Sequence, residues 1–362
     1  MKKCKEETQY AILKKRMEND AMTKRELVIK ALTHQETAVL PYHMEFTQQA
    51  LKQLIAYTGD SEIEKKIGSS LHYIQYWGWP TEMPDKPGYF KDDFGVEWNR
   101  NGADKDIGLP DEAVIKDFED YEYTFPQIDE KRLRAEYEEL IRTREDRFTF
   151  IGFGFCMFER LWSLTGMENA LMSMITCPDE LETFLDRTCD YMEHLVEIAL
   201  EYDIDAVYFG DDWGQQKGLI MGPAHWRRFI KPRMARLYAK VKEAGKFVIQ
   251  HSCGDCREIL PDLIEIGLDC YQTFQPEIYD IHAVKEQYGD KLAIWGGIST
   301  QQCLPTANAK QIQAEAKRIA DVMRRNGGYI LAPTHAIAFD VPPENILALA
   351  DVFHNQDKYL ED

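Results

Sequence analysis

Hydrophobic positions along the chain fall into two rhythms. Short apolar runs bounded by turn residues alternate with longer stretches in which apolar residues return every three or four positions. The first pattern predicts buried strands and the second amphipathic helices. The alternation is most regular after residue 148, with strands predicted at 148–155, 206–209, 247–250, 268–274, 292–295 and 329–332. The clearest helix between them is 179–200, where Leu181, Leu185, Thr188, Met192, Leu195 and Ala199 share one face. Further helices are predicted at 223–244 and 255–265. Asn308 to Gln311 cap another, with Ile312, Ala316, Ile319 and Met323 along its face and Gly327-Gly328 at its end. Pro342-Pro343 open the last helix, where the first turn suits proline.

The first half of the chain is less regular. Residues 1–22 read as an amphipathic helical extension. Thr23 and Glu26 have the spacing of a capping box, which starts a short helix running to about residue 32. Residues 38–46 are predicted as the first strand. Residues 47–147, rich in proline, glycine, tryptophan and charge, predict an elaboration near a barrel mouth, with a hairpin around 89–98 that turns at Gly95. Strands that alternate with helices pair in parallel through right-handed crossovers. The fold class is therefore α/β, a (β/α)8 TIM barrel formed by a single domain over 23–362. Seven strands are visible, and an eighth is expected in the irregular part. A doubly wound open sheet competes, but no G-x-G-x-x-G follows an early strand.

Composition narrows the partners. The 362 residues are 44% hydrophobic, enough for a large core, and carry a formal net charge of −19. No Lys/Arg-rich block offers the basic patch that phosphate contacts demand, which argues against nucleic acid, and an acidic membrane surface would repel the chain. The charged N-terminus has no apolar signal segment, so a cytoplasmic location is expected. The eight cysteines are then reduced thiols, better suited to metal binding or catalysis than to disulfides.

In a β/α barrel, chemistry gathers where strands end. The predicted strand ends carry His43 and Glu45, then Asp211, Asp212 and Trp213, then His251, Cys253 and Cys256, then Gln272 and Gln275, and finally Thr334 and His335. Polar strand ends facing solvent are the plain alternative. His251-Ser252-Cys253 is the most specific feature. Imidazole and thiolate are preferred zinc ligands, and residues two apart in extended chain point to one side. Cys256 reads either as a spare ligand or as the first turn of the next helix. His335 could supply a third ligand or a proton, or be a structural histidine. Asp211 and Asp212 could supply a carboxylate ligand or a general acid, and Trp213 beside them suggests a shaped pocket. Trp77, Trp79 and Trp98 are candidates for a pocket rim, with ordinary packing as the other reading.

Taken in order, several segments resemble the uroporphyrinogen decarboxylase superfamily. They are Tyr208-Phe209-Gly210-Asp211-Asp212-Trp213-Gly214, Gln250-His251-Ser252-Cys253-Gly254, Trp295-Gly296-Gly297-Ile298, the run from Gly328 to His335, and Val341-Pro342-Pro343-Glu344-Asn345. True decarboxylases of that superfamily carry an N-terminal arginine-rich motif for the porphyrinogen carboxylates. Here the corresponding Leu40-Pro41-Tyr42-His43-Met44-Glu45-Phe46 has no arginine and an added carboxylate. The segment is closer to what the corrinoid-dependent methyltransferase branch allows, which includes methylcobamide:coenzyme M methyltransferases and O-demethylase methyltransferases.

That resemblance implies a zinc ion on His251 and Cys253, with His335 where the zinc-binding members have a cysteine. It implies Asp211, Asp212 and Glu45 as catalytic carboxylates, and His43, Glu45, Trp213 and Gln272 as substrate-binding residues. It also implies methyl transfer between a small methylated compound, such as a methyl ether, and a corrinoid. The chain has no D-x-H-x-x-G signature, so the corrinoid would arrive on a partner protein. A cofactor-free decarboxylase is the alternative activity. Homodimers are common in the superfamily, and the sequence leaves the oligomeric state open.

Overall fold

The computed structural model describes residues 22–102, 105–116, 118 and 122–360. The extension expected over 1–22 lies, apart from Met22, outside the described residues. Seven parallel strands follow one another in a single sheet: β1 Leu71–Tyr76, β2 Phe148–Phe153, β3 Ala206–Gly210, β4 Phe247–His251, β5 Cys270–Phe274, β6 Ala293–Ile298 and β7 Tyr329–Pro333. Sequential parallel order with helical crossovers curls the sheet towards closure. The gap between β7 and β1 is bridged by residues 41–43. Leu331 N–H donates to Pro41 O at 2.9 Å, His43 N–H to Leu331 O at 3.1 Å, and Ser70 N–H to Tyr42 O at 2.8 Å. The fold is a TIM barrel, as the sequence pattern predicted.

Two expectations shift in detail. The strand predicted at 38–46 is present only as isolated bridges, Tyr42 to Leu331 and Phe46 to Ile337. The missing eighth strand is β1, hidden inside the 47–147 stretch. Its sequence, Leu-His-Tyr-Ile-Gln-Tyr, is too polar to read as a buried strand, because several of its side chains are only partly buried. The helix Glu130–Thr143 packs on β1, so the 47–147 stretch is part barrel and part addition. The addition includes a four-stranded antiparallel sheet in which Tyr89–Lys91 pairs with Glu97–Asn99, the hairpin read from sequence.

Inside the barrel, aromatic rings from successive strands fill one layer. Tyr73 stacks on Phe150 at 4.7 Å, Phe150 lies 5.5 Å from Tyr208, and Trp295 meets both Phe150 and Tyr208 edge-on or tilted. Burying each such ring contributes about 1.5–3 kcal/mol. The helix Lys24–Leu32, opened by the Thr23–Glu26 capping box, packs Val28, Ala31 and Leu32 against the same cluster. Its Arg25 anchors to the buried Asp205 just before β3, at 2.7 Å. The layer therefore forms a solid floor, and the polar residues at the strand ends sit above it.

Candidate metal centre at the barrel mouth

The loops that leave β3 and β4 touch along their backbones. Gly214 N–H donates to Cys253 O at 3.1 Å, and Asp255 N–H to Gln215 O at 2.8 Å. A Cβ on Gly214 would lie 2.6 Å from the Cys253 carbonyl oxygen, and one on Gly254 would overlap the Gly214 backbone. Glycine at both positions is what lets the loops cross, and Gly254 also has φ +80°, which favours glycine. The crossing sets Asp212 beside the His251-Ser252-Cys253 segment. Asp212 Oδ1 accepts the Cys253 N–H at 2.7 Å and lies 3.3 Å from His251 Nε2. Cys253 Sγ stands 3.6 Å from the same Nε2.

His251, Cys253 and His335 form a group whose ligand atoms all lie within 4.8 Å of one another. Two ligands of a tetrahedral zinc ion, at about 2.0 and 2.3 Å from the metal, stand roughly 3.5 Å apart. The His251–Cys253 separation fits that value. The His251 tautomer fits as well. Nδ1 is hydrogen-bonded to Gln272 Oε1, which keeps a proton on Nδ1 and makes Nε2 the nitrogen a metal would take in exchange for its proton. Gln272 Oε1 also accepts from Tyr208 OH at 3.2 Å, and its Nε2 reaches Thr334 O at 3.5 Å, so the amide is held from three sides. His335 is the softer arm. Its ring stands 5.6 Å from that of His251, and its Nδ1 accepts the Ala336 N–H at 2.8 Å. Asp212, with 35% of its side chain exposed, lies outside that group of three but holds Oδ1 3.3 Å from His251 Nε2.

The electrostatics of these groups are mutual. Burial lowers the affinity of His251 for protons, but Tyr208, Cys253 and Asp212 outweigh burial and hold its pKa well above the ordinary value. Burial would raise Asp212, but His251 and the Cys253 amide keep it at about 2. Burial and the nearby Asp212 carboxylate raise the Cys253 thiol. A metal must displace that proton, since thiolate is the ligand form. His335 is exposed at the mouth, but the atoms crowded around its ring, and then His251, lower its pKa.

Several expected roles change. Trp213 is fully buried: its ring packs edge-on to Trp226 at 5.3 Å and its Nε1–H bonds Asp211. It cannot line a substrate pocket. Gln272 is also buried and its amide is engaged, so it positions His251 and does not grip a substrate. His43 is buried, with Nδ1 on Ser69 Oγ at 2.8 Å, its ring edge-on to Tyr73 and Trp295, and its Nε2 without a hydrogen-bond partner among the described residues. Cys256 is buried against Ser252 Oγ and is not one of the three clustered ligands. Trp98 is fully buried, which removes it from any rim. Asp211 is 0% exposed, and its carboxylate accepts the Phe158 and Glu159 N–H groups at 3.0 and 2.8 Å. It caps the first turn of the helix Phe158–Thr165. Burial pushes its pKa up to about 6 against those bonds.

One residue escaped the sequence reading. Glu159 follows β2, and its carboxylate takes the Asp212 N–H. Burial, then Asp212 and Asp211, push its pKa well above the usual carboxylate range, while His251 pulls it down. The signal was its place after the second strand end, where Gly154 to Phe158 looked wholly apolar and hid it. Glu45 stands at the mouth as expected. It is exposed, its carboxylate bonds Tyr73, and its backbone O accepts from Ile337 N–H at 2.7 Å, two residues beyond His335.

Known proteins share this framework. A methylated-thiol–coenzyme M methyltransferase from Methanosarcina mazei is 21% identical over 185 residues, which is 51% of this chain and 47% of that one. A uroporphyrinogen decarboxylase from Psychromonas ingrahamii is 22% identical over 180 residues, 49% of each chain. The chain thus spans about half the length of the curated relatives it matches. The solved structure of a methyltransferase from Methanosarcina mazei superposes with a TM-score of 0.68 at 19% identity, covering 92% of this chain and 99% of that one, and shows the same fold. No described helix is long and apolar enough to cross a membrane. The model of the uroporphyrinogen decarboxylase family (URO-D) matches residues 104–356, and the chain belongs to that family.

Proposed function

We propose that the chain is a zinc-dependent methyltransferase that moves a methyl group between a small methylated compound, for example a methyl ether, and a corrinoid carried by a separate protein. The observation that carries this reading is the set of His251, Cys253 and His335 around one point, with Asp212 beside His251 and the His251 ring oriented by Gln272. The likeness to a methyltransferase acting on methylated thiols supports it. His251, Cys253 and His335 would hold the zinc, with the fourth position open to the heteroatom and Asp212 beside it. When bound, zinc supplies Lewis acidity to the heteroatom that gives up or receives the methyl group.

The chain's own residues do the rest. Gln272 orients His251. Asp211 fixes the start of the Phe158–Thr165 helix and so places Glu159. Glu159, whose burial favours the protonated carboxyl, would deliver a proton to the departing heteroatom in the demethylating direction. Glu45 stands exposed at the mouth, next to the segment that carries His335. The alternative, a cofactor-free decarboxylase of a polycarboxylate, is disfavoured by the same carboxylates, which would repel such a substrate.

Elemental analysis of protein purified without chelator tests the metal. About one zinc per chain is expected in wild type, and none in Cys253→Ala. His335→Ala should weaken retention without abolishing it, because Asp212 remains. Mixing zinc-loaded protein with a reduced corrinoid protein and a panel of methyl donors tests the activity. No methylated corrinoid from any donor refutes methyl transfer, and undiminished turnover after chelation supports the decarboxylase.

A further inference from the structure

The helices Ile281–Tyr288 and Ala309–Met323 leave a cavity of about 440 Å³ between them. Gly289 and Asn326 on its rim come just before β6 and β7, which places the cavity at the end of the barrel opposite the mouth. Lys285, Glu286 and Asp290 line it from one side, Val322 and Arg325 from the other. Lys285 is half-buried, and its Nζ makes one hydrogen bond, to Gly327 O at 2.7 Å. Among the described residues, no carboxylate pairs with that nitrogen. Half-buried lysines on other helices do have such partners: Lys231 meets Asp262 at 2.7 Å, Lys317 meets Asp321 at 3.4 Å, and Lys240 is bonded to Glu197.

An ammonium drawn out of water without a counter-ion gives up its proton more readily, and the free amine is the nucleophile. Burial lowers the Lys285 pKa to about 8, against a weaker opposing effect of Glu36. His34, whose Nδ1 lies 3.1 Å from Gly289 O, is held below its ordinary value by burial and adds no charge at neutral pH. His282, Glu286 and Asp290 are exposed. Arg325 is a second cation of the cavity without a carboxylate partner among the described residues. Its Nε–H donates to Asp321 O at 2.8 Å.

We propose that Lys285 is a modification site, acylated in preference to other lysines by small anionic acyl donors of the acyl-phosphate class, with Arg325 holding the phosphate. The lysine nitrogen bonds to the carbonyl carbon and the bond from that carbon to the phosphate oxygen breaks. Phosphate leaves with the electron pair, and the amine's proton passes to solvent. The product amide is uncharged, so the ammonium that ties the helix Ile281–Tyr288 to the turn ahead of β7 is lost.

The full chain is incubated with acetyl phosphate at neutral pH, and acetylation of each lysine is followed by peptide mass spectrometry. Exposed Lys291 and Lys310 are the references. A pKa of about 8 in place of about 10.4 leaves roughly two hundred times more free amine at neutral pH. A weaker base is a weaker nucleophile and returns part of that gain, so Lys285 should react about tenfold faster than either reference. Its rate should level off above about pH 8, whereas theirs should keep rising to about pH 10. Arg325→Gln should slow the reaction of Lys285 with acetyl phosphate and leave its reaction with the uncharged N-acetylimidazole unchanged.

Acetylation of Lys285 no faster than that of Lys291 and Lys310 with both reagents overturns the proposal. A fast reaction with N-acetylimidazole alone, or no effect of Arg325→Gln on acetyl phosphate, overturns the acyl-phosphate class. Neither result bears on the metal centre at the other end of the barrel.

Discussion

Asp211 and Asp212 are neighbours with opposite tasks, and replacing each with asparagine separates them. The Asp211 carboxylate is fully buried and accepts from the Phe158 and Glu159 amides and the Trp213 indole. Asparagine has one acceptor oxygen. Whichever way its amide lies, an NH2 group then faces an N–H donor, leaving at least one buried donor unpaired. An unpaired buried donor costs about 1–3 kcal/mol, and losing a negative charge at a helix start costs about 0.3–1 kcal/mol more. Asp211→Asn is therefore expected to lose about 1–4 kcal/mol of stability. Asp212→Asn keeps the oxygen facing the Cys253 N–H and is 35% exposed, so its stability should stay within about 1 kcal/mol of wild type while zinc retention falls. Urea unfolding followed by tryptophan fluorescence and circular dichroism measures both, with a shifted midpoint at unchanged slope as the sign of a stability change. A stable Asp211→Asn paired with a strongly destabilised Asp212→Asn would show that the assignment of the two carboxylates is inverted.

Other substitutions probe the supports of the site. Gln272→Leu removes the acceptor that fixes His251, so zinc affinity should drop about 10–100-fold in a chelator competition, with the far-ultraviolet spectrum unchanged. Gly254→Ala puts a methyl group into the Gly214 backbone at positive φ. It should separate the crossed loops and cost both zinc and about 1–3 kcal/mol of stability, whereas Gly245→Ala, with open space around it, should keep its zinc. On the outer helices, burial opposes ionisation of Asp262, but Arg227 and Lys231 outweigh it and hold its pKa below the usual value. Because the folded value is depressed, its stabilising contribution is present above the unfolded value of about 4 and is lost as pH falls through the folded one. Asp262→Asn should therefore lower the thermal midpoint at pH 7 by more than at pH 3.

The floor of the barrel was largely legible before any coordinates. Alternating periodicities placed six of the seven sheet strands, because those strands are apolar on both faces and stand out from the helices between them. β1 was missed since His72, Tyr73 and Gln75 break the apolar run that marks a buried strand. Asp211 and Asp212 look alike in sequence, and only the fold shows that one turns under a helix start while the other faces His251. Trp213 and Gln272 were read as pocket walls because they follow strand ends, but a strand end fixes only where the backbone emerges, and packing decides which side chains reach the mouth. The sequence by itself determined the strand and helix order, the histidine and cysteine two apart, and the carboxylate where related enzymes carry arginine. Only the tertiary structure decided that Asp212 stands against His251 and Cys253, since their closeness depends on two loops crossing where two glycines leave room for backbone alone.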